Sequence, residues 1–252
     1  MAESVCPDCG GSGWKIVERD GVSGAERCEC VKEGRSERLL DRSNIPPNYR
    51  NASFDNFRAP KDRSPELHAI ANTVVQFVTD FPTGSKPGLL LTGNPGTGKT
   101  HLAVAALHRI IDKGFEGVFF DYQNLLDRIR AGFDPNSGSS DREAYRVALD
   151  AEVLLIDDLG SHRVLDWIED VVTAIITHRC NHRRPLIATT NLPDPDAGDS
   201  LVERTPDGSP TYRRTLAHHI GERARSRLFE MCKVVRIPPL VHDFRTRPAM
   251  HR

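Results

Sequence analysis

The sequence predicts an α/β fold with a parallel sheet at its centre. Five short and almost continuously apolar runs alternate along the chain with segments whose apolar residues recur at helical spacing. Strands that are buried on both faces give such runs, and they occur in parallel sheets that are covered by helices. The runs assigned to strands are residues 88–93, 117–122, 153–158, 185–191 and 233–237.

Helices are predicted before the first strand and between the later ones. Ser64 can serve as an N-cap, Pro65 suits the first helical position, and the apolar positions of residues 67–78 follow the i, i+3, i+4 pattern. A long polar loop, residues 191–214, is expected to be either mobile or a partner contact. Further helices are predicted around residues 102–111, 125–129 and 168–176, and an arginine-rich helix around 215–231.

The composition describes a globular chain of 252 residues, with room for one ordinary domain and a small appendage. The net charge of −1 excludes a global positive field, so any contact with nucleic acid must come from local patches. No apolar run approaches the roughly 18 residues of a membrane span, and the N-terminus lacks the pattern of a signal peptide. We therefore expect a cytoplasmic protein without a membrane partner, in a compartment where thiols stay reduced.

Residues 93–100, GNPGTGKT, form a complete phosphate-binding loop between the first predicted strand and a predicted helix. Its glycines let the backbone curl, so that N–H groups converge on phosphate oxygens at the helix N-terminus. Lys99 is expected to contact the β and γ phosphates, and Thr100 to bind Mg²⁺. A chance glycine-rich turn is the alternative. The predicted nucleotide-binding residues are Gly93, Asn94, Pro95, Gly96, Thr97, Gly98, Lys99, Thr100, His101 and Asp157.

Two carboxylates end the third predicted strand, in VLLIDDLG. Asp157 is expected to orient Mg²⁺ together with Thr100, and Asp158 lies where a general base could polarise an attacking water. An acidic turn that merely closes a strand is the alternative. Many related ATPases carry glutamate at the second position. Because aspartate is one methylene shorter, we expect slow hydrolysis.

Two further polar positions complete the predicted catalytic set of Lys99, Asp158, Asn191 and Arg227. Asn191, at the end of ATTN, can hold the lytic water or sense the γ-phosphate, unless it only caps the following loop. In IGERARSRLFEM, Arg223 and Arg227 lie one helical turn apart. A P-loop ATPase can use such a cation, supplied by a neighbouring subunit, to stabilise its transition state. A solvated charged face is the alternative, and Arg227 is favoured over Arg223.

In order and spacing, GNPGTGKT, VLLIDDLG, ATTN and GERARSRL resemble the AAA+ ATPases of the DnaC/IstB-like branch, which contains bacterial helicase loaders. The resemblance covers roughly residues 45–245. It implies a five-stranded sheet in the order 5-1-4-3-2, little or no helical lid, ATP as the nucleotide, and self-association. It also assigns Arg227 as the arginine finger and makes ASFDNF similar to the segment that helps enclose the adenine in DnaA. The implied activity is the delivery of a hexameric replicative helicase to single-stranded DNA.

The same resemblance suggests where DNA would bind. In loaders of this kind, helical elements near the second strand line the channel of the ring. Arg128, Arg130 and Phe133 offer cations for phosphates and an aromatic ring for base stacking, before a predicted flexible tip. An ordinary amphipathic helix with solvated arginines fits these residues equally well.

Four of the six cysteines lie in the first thirty residues. Cys6 and Cys9 are spaced C-x₂-C, and after eighteen residues Cys28 and Cys30 form C-x-C. Two close thiol pairs on a short segment are what tetrahedral Zn²⁺ requires, although free cysteines in a disordered tail or a redox dithiol are alternatives. DnaI-type loaders similarly carry a zinc-binding N-terminal region that grips the helicase.

We therefore divide the chain into a zinc-binding module (1–34), a linker and adenine-side segment (35–60) and an AAA+ ATPase domain (61–252). The expected partners are a hexameric replicative helicase, single-stranded DNA and neighbouring copies of the chain. Two other functions stay open. One is a transposition helper of the IstB kind, and the other is a nucleotide-gated adaptor with negligible hydrolysis, for which Asp158 in place of glutamate is the hint.

Overall fold

The computed structural model describes residues 6–10, 12, 14–19, 22–57, 64–133, 139–162, 165–204 and 209–238. The end of the predicted linker, residues 58–60, and the tip predicted after Phe133 lie outside these ranges. In chain order the elements are β1 (Trp14–Arg19), β2 (Val22–Arg27), α1 (Glu29–Arg42), α2 (Ser64–Asp80), β3 (Gly88–Thr92), α3 (Lys99–Asp112), β4 (Gly117–Asp121), α4 (Tyr122–Gly132), α5 (Ser139–Asp150), β5 (Val153–Asp157), α6 (Asp166–Asn181), β6 (Leu186–Thr190), β7 (Val202–Arg204), β8 (Pro210–Tyr212), α7 (Ala217–Ile220), α8 (Glu222–Met231) and β9 (Cys232–Arg236).

All five predicted strands form one parallel sheet in the order β4-β5-β6-β3-β9. When these strands alone are numbered along the chain, this is the expected order 5-1-4-3-2, and the prediction is confirmed. Strand β6 lies between β3 and β5. The carboxyl ends of these three adjacent strands are followed by Gly93, Asn191 and Asp158, so the sheet brings the three positions to one edge.

Successive apolar residues of each strand point to opposite faces of the sheet, and each face has its own core. Leu90 belongs to the core beneath α4, α5, α6 and α8, whereas its neighbours Leu89 and Leu91 belong to the core beneath α2 and α3. Strands β3, β5 and β6 are buried along their whole length. The sheet is therefore a rigid platform covered on both sides. None of the described helices is long and apolar enough to span a membrane.

Some elements differ from the sequence predictions. The prediction of a single helix around 215–231 is wrong in one respect. Gly221, at φ +82°, divides this segment into the short α7 and the helix α8. Helix α5 has no counterpart in the predictions, since alanines such as Ala144 and Ala148 form its buried stripe. Helix α1 runs across residue 34, the predicted end of the first module, and the backbone N–H of Phe119 donates to the carbonyl of Ser43 just after α1.

The predicted polar loop contains local structure of its own. Strands β7 and β8 pair as an antiparallel hairpin, although three residues each are too few for a sequence pattern to reveal. A 3₁₀ turn at Pro195–Ala197 precedes the hairpin, with the Asp194 side chain accepting a hydrogen bond from the N–H of Asp196. The described part of this segment therefore has a defined local structure.

A buried arginine joins the end of α5 to the start of β6. Arg179, on α6, is fully buried. Its guanidinium nitrogens donate to four backbone carbonyls at distances of 2.6–3.2 Å. Burial lowers the pKa of Arg179 to about 9, which still leaves it charged at neutral pH. The accepting carbonyls are those of Ala148, Leu149, Ala151 and Pro185.

Replacing Arg179 by methionine keeps much of the apolar volume but removes every donor. We expect the free energy of unfolding, measured with urea, to fall by about 3 kcal/mol, because buried carbonyls lose their partners. Arg183→Met, on an exposed arginine nearby, is the matched control and should change it by less than about 0.5 kcal/mol. An equal effect of the two substitutions would show that the guanidinium does not hold these elements together.

Candidate nucleotide site and cysteine cluster

A cavity of about 280 Å³ lies at the carboxyl edge of the sheet, against the phosphate-binding loop. Predicted site residues from three separate segments of the chain line this cavity. They are Gly96, Gly98, Lys99, Thr100, His101, Asp158 and Asn191. Gly93 and Asn94 line a second cavity on the other side of the loop instead. Thr97 closes the loop by donating its hydroxyl to the carbonyl of Asn94 at 2.9 Å.

Gly98 shows why the loop needs glycine. It has a φ of +91° and stands at the N-cap of α3. A Cβ there would also lie 2.7 Å from the ring of Phe57, so the backbone and the aromatic ring approach too closely for any side chain. The first residues of α3 line the cavity, and a helix N-terminus is the kind of backbone site that binds phosphate.

The lysine, the predicted sensor and the predicted base form one chain of contacts. Lys99 Nζ donates to Asn191 Oδ1 at 2.6 Å and to the carbonyl of Asn94 at 2.8 Å. Asn191 Nδ2 in turn donates to Asp158 Oδ1 at 2.8 Å. Any group that draws Lys99 away from Asn191 therefore changes the surroundings of Asp158 as well.

Asp157 lies almost buried beneath the loop, beside a hydroxyl that can share a metal with it. Thr100 donates its hydroxyl to Asp157 Oδ2 at 3.2 Å, and Thr189 donates to Oδ1 at 2.6 Å. Burial raises the pKa of Asp157, and the Thr189 hydrogen bond opposes this shift. A carboxylate and a hydroxyl oxygen side by side fit the hard oxygen ligands that Mg²⁺ prefers.

Asp158 is held in an unusual backbone conformation. Its φ of +55° lies in the left-handed region, which aspartate tolerates better than other side chains. Its N–H donates to the hydroxyl of Thr189 at 2.9 Å, so Thr189 fixes both carboxylate residues. Thr189 lies in the ATTN motif and was missed as a site residue. A buried polar residue in an apolar strand was the available signal.

Two aromatic side chains form another part of the cavity wall. Tyr49 and Phe57 line it, and the rings of Phe57 and His101 lie 5.6 Å apart. His101 is fixed by a 2.8 Å hydrogen bond between Nε2 and the carbonyl of Ser53. These surfaces suit the flat face of a purine base, and they come from the segment that was compared with the adenine side of DnaA. Tyr49 was missed because it precedes the quoted motif.

Arg227 lies away from this cavity. It lines a groove between α6 and α8 together with Arg223, and its guanidinium pairs with Glu230 at 2.6 Å on the same helix. The pair is exposed, so it is weak and easily broken. Arg227 does not line the nucleotide cavity of its own chain, and this position suits a cation that acts on another subunit. Leu228 and Met231 are buried, as the helical spacing predicts.

The three predicted DNA contacts do not form one surface. Arg128 is half-buried and its guanidinium lies 5.6 Å from the centre of the Phe120 ring at the sheet edge. Arg130 is exposed, and Phe133 is 69% exposed at the end of α4. The latter two are the more accessible to a strand of DNA.

The four early cysteines come together. Their sulfurs all lie within 4.8 Å of one another, with 3.8 Å between Cys6 and Cys28 and 3.5 Å between Cys9 and Cys30. A tetrahedral Zn²⁺ with bonds of about 2.3 Å separates its sulfurs by roughly 3.8 Å, so the cluster fits this ion. The hairpin of β1 and β2 supplies the spacing between the two pairs, and Cys28 precedes the positive N-terminal end of α1.

Sequence and structural comparisons find related kinds of protein, which are IstB-like ATP binding proteins and DnaC helicase loaders. Residues 31–201 match the sequence model of the IstB-like ATP binding protein family. The replicative helicase loader DnaC of Escherichia coli (strain K12) is 26% identical over 173 residues, which are 69% of each chain. The protein YqaM of Bacillus subtilis (strain 168) is 30% identical over 75% of this chain, and the match spans only 59% of YqaM. A crystal structure of the DnaC helicase loader matches with a TM-score of 0.59 and 33% identity, over 76% of this chain and 99% of that one.

The raised pKa of Asp157 predicts a pH-dependent stability difference for Asp157→Asn. Because the folded-state pKa lies above the unfolded one, the protonated carboxyl stabilises the fold at low pH, and this contribution is lost as the pH rises through the folded pKa. At pH 7, without Mg²⁺ and nucleotide, the Asp157→Asn variant should therefore unfold at a higher urea concentration than the unsubstituted chain. This difference in urea midpoint should become smaller as the pH is lowered. The exposed Asp170→Asn is the control. A variant that is less stable at pH 7 would contradict this prediction.

Proposed function

The chain belongs to the family of IstB-like ATP binding proteins, and we propose that it is an ATP-hydrolysing loader that delivers a hexameric replicative helicase to single-stranded DNA. Similarity to DnaC, in sequence and in fold, supports this proposal. The single observation that carries the enzymatic part is the contact chain from Lys99 through Asn191 to Asp158. The setting is the cytoplasm, where such a helicase meets DNA.

In this proposal the phosphate-binding loop holds the triphosphate of ATP. The N–H groups at the start of α3 and the ammonium of Lys99 contact the β and γ phosphates. Thr100 and Asp157 would hold Mg²⁺, and the ion would supply positive charge against the phosphate oxygens. The walls formed by Tyr49 and Phe57 receive the adenine.

Asn191 and Asp158 then position the attacking water. The water oxygen bonds to the γ-phosphorus while the bond to the bridging oxygen of ADP breaks, and Asp158 accepts the proton that the water loses. Aspartate reaches less far than glutamate, so we propose that turnover by the isolated chain is slow.

Arg227 completes the site of a neighbouring copy. An arginine finger that acts in trans makes hydrolysis depend on assembly, because the transition state is stabilised only when a neighbour is present. The exposed position of Arg227 outside its own nucleotide cavity supports this role.

We assign recognition of the helicase to the zinc-binding module of residues 1–34. A segment this small cannot bury enough apolar surface to fold alone, and Zn²⁺ at the four cysteines supplies the missing free energy. The apolar side chain of Ile16 on β1 is 85% exposed, and that of Trp14 is half-exposed, so both are accessible to a partner. Arg130 and Phe133 are the proposed contacts to single-stranded DNA, with Arg128 in a supporting position.

Two alternatives make different predictions. An IstB-like transposition helper would use the same ATPase site but act with a transposase on duplex DNA, and the IstB name of the matched family keeps this alternative open. A nucleotide-gated adaptor would bind ATP and the partner without measurable hydrolysis. Phosphate release separates the adaptor from the other two, and the partner that is captured separates those.

Arg227→Ala should lower the rate of ATP hydrolysis per chain by roughly 1,000-fold, because the transition state loses its cation. The affinity for a fluorescent ATP analogue should stay unchanged, since the finger stabilises the transition state and not the bound ATP. Phosphate release measured over a range of protein concentrations tests the first point. Arg183→Ala, on an exposed arginine elsewhere, is the matched control. Retained hydrolysis in Arg227→Ala would remove the finger from the account.

Immobilised hexameric replicative helicase from the same cell should capture the intact chain. Replacing both Cys6 and Cys9 by serine should abolish capture and also remove one zinc per chain in elemental analysis, because two of the four ligands are lost. Cys180→Ser, outside the cluster, should change neither result. The loader proposal fails if the intact chain is not captured, and the role of the zinc module fails if capture survives the loss of zinc.

A further inference from the structure

We propose that the ion pair between Asp194 and Arg225 is a positioning device that links the γ-phosphate sensor Asn191 to the helix that carries the arginine finger. The inference rests on the proposed function, in which Arg227 acts on a neighbouring subunit. It assigns a task to two residues on which sequence analysis placed none.

The pair joins a buried carboxylate to a partly buried guanidinium, and its geometry is well defined. Asp194 is only 1% exposed, and it accepts from Arg225 through two parallel hydrogen bonds, Nε to Oδ2 at 2.9 Å and Nη2 to Oδ1 at 2.6 Å. The N–H of Asp196 donates to Oδ1 as well, at 3.0 Å. The guanidinium also lies 4.2 Å from the centre of the Phe229 ring. A bidentate pair fixes orientation as well as distance, so the two residues move together.

One end of the device is tied to the nucleotide site. Asp194 follows Asn191 by three residues, and the backbone between them is held at two points. Arg213 donates to the carbonyl of Asn191 at 3.2 Å, and the N–H of Leu216 donates to the carbonyl of Pro193 at 3.0 Å. A displacement of Asn191 should therefore move Asp194 as well, because the backbone between them is held by hydrogen bonds.

The other end of the device is tied to the finger. Arg225 and Arg227 both lie on α8, a helix of ten residues that packs against α6 and α7. A helix of this length moves as a unit. The Arg227–Glu230 pair on its surface is exposed and easily broken, so the finger can leave Glu230 when α8 shifts.

A second contact supports the same path at the turn after Asp158. Gly160 has a φ of +84°, and a Cβ there would lie 2.6 Å from the side chain of Leu192 and 3.3 Å from that of His219. The turn that carries the predicted base therefore packs against the residue after Asn191 and against α7. The segments of the sensor and the base therefore meet α7, which in turn packs against the finger helix α8.

These contacts imply a sequence of events. The γ-phosphate of ATP competes for the amide of Asn191, which Lys99 and Asp158 now share. The resulting shift of the Asn191–Asp194 segment turns α8 through Arg225 and places Arg227 for the neighbouring subunit. The state of one nucleotide site is thereby communicated to the next.

The test uses the full chain with Asp194→Asn and Arg225→Gln combined, which leaves no unpaired buried charge. We expect hydrolysis by this double variant to fall roughly tenfold, with affinity for a fluorescent ATP analogue unchanged. Mixing it with Asp158→Asn protomers, which cannot hydrolyse ATP but carry an intact finger, should restore hydrolysis. Arg225→Lys, which keeps the charge and loses the paired hydrogen bonds, should show a smaller loss and serves if the double variant does not fold.

The controls distinguish failure of the positioning role from failure of the arginine finger itself. Asp196→Asn removes only the exposed partner of Arg225 and should leave hydrolysis intact. Mixing Arg227→Ala with Asp158→Asn must also restore hydrolysis. If that mixture fails, the finger in trans fails and this inference with it. If it succeeds while the Asp194/Arg225 mixture fails, the pair serves its own nucleotide site and the positioning role is overturned.

Discussion

The side-chain amide of Asn191 is held between the ammonium of Lys99 and the carboxylate of Asp158, and these two hydrogen bonds connect the groups of the candidate nucleotide site. They exist because the order of the parallel sheet places β6 between β3 and β5, so that residues distant in sequence end at one edge. Thr189 adds a second bridge between the two aspartates, one residue before the sheet ends. The order of the strands therefore determines which positions meet at the site, and the side chains at those positions determine its chemistry.

The layers around the sheet keep this edge rigid and carry its state outward. Two separate cores cover the faces, and the buried Arg179 joins α5 to the sheet where apolar packing alone would leave carbonyls without partners. On the same face, α8 carries both the partly buried Arg225 and the exposed Arg227. Arg179 and Arg225 are fixed by several hydrogen bonds and stabilise the packing of the elements. Arg227 is held by an exposed ion pair and is available to a neighbouring subunit.

The parts that sequence analysis predicted are those encoded by short local patterns. The phosphate-binding loop, the five buried strands and the cysteine spacing all fall in this class, and the strand order followed from the family resemblance. The roles of Tyr49 and of the Asp194–Arg225 pair could not be predicted, because they arise from contacts between segments that no local pattern connects. Helix α5 and the β7–β8 hairpin were missed for another reason, since alanine stripes and three-residue strands give almost no periodic signal.

The most direct measurement is a crystal structure with Mg²⁺ and a non-hydrolysable ATP analogue. The account predicts that the triphosphate lies along residues 93–100, that Lys99 Nζ leaves Asn191 for the β and γ phosphates, and that the Asn191 amide faces the γ-phosphate. A triphosphate bound elsewhere, or one bound in the loop while Lys99 still contacts Asn191, would contradict it.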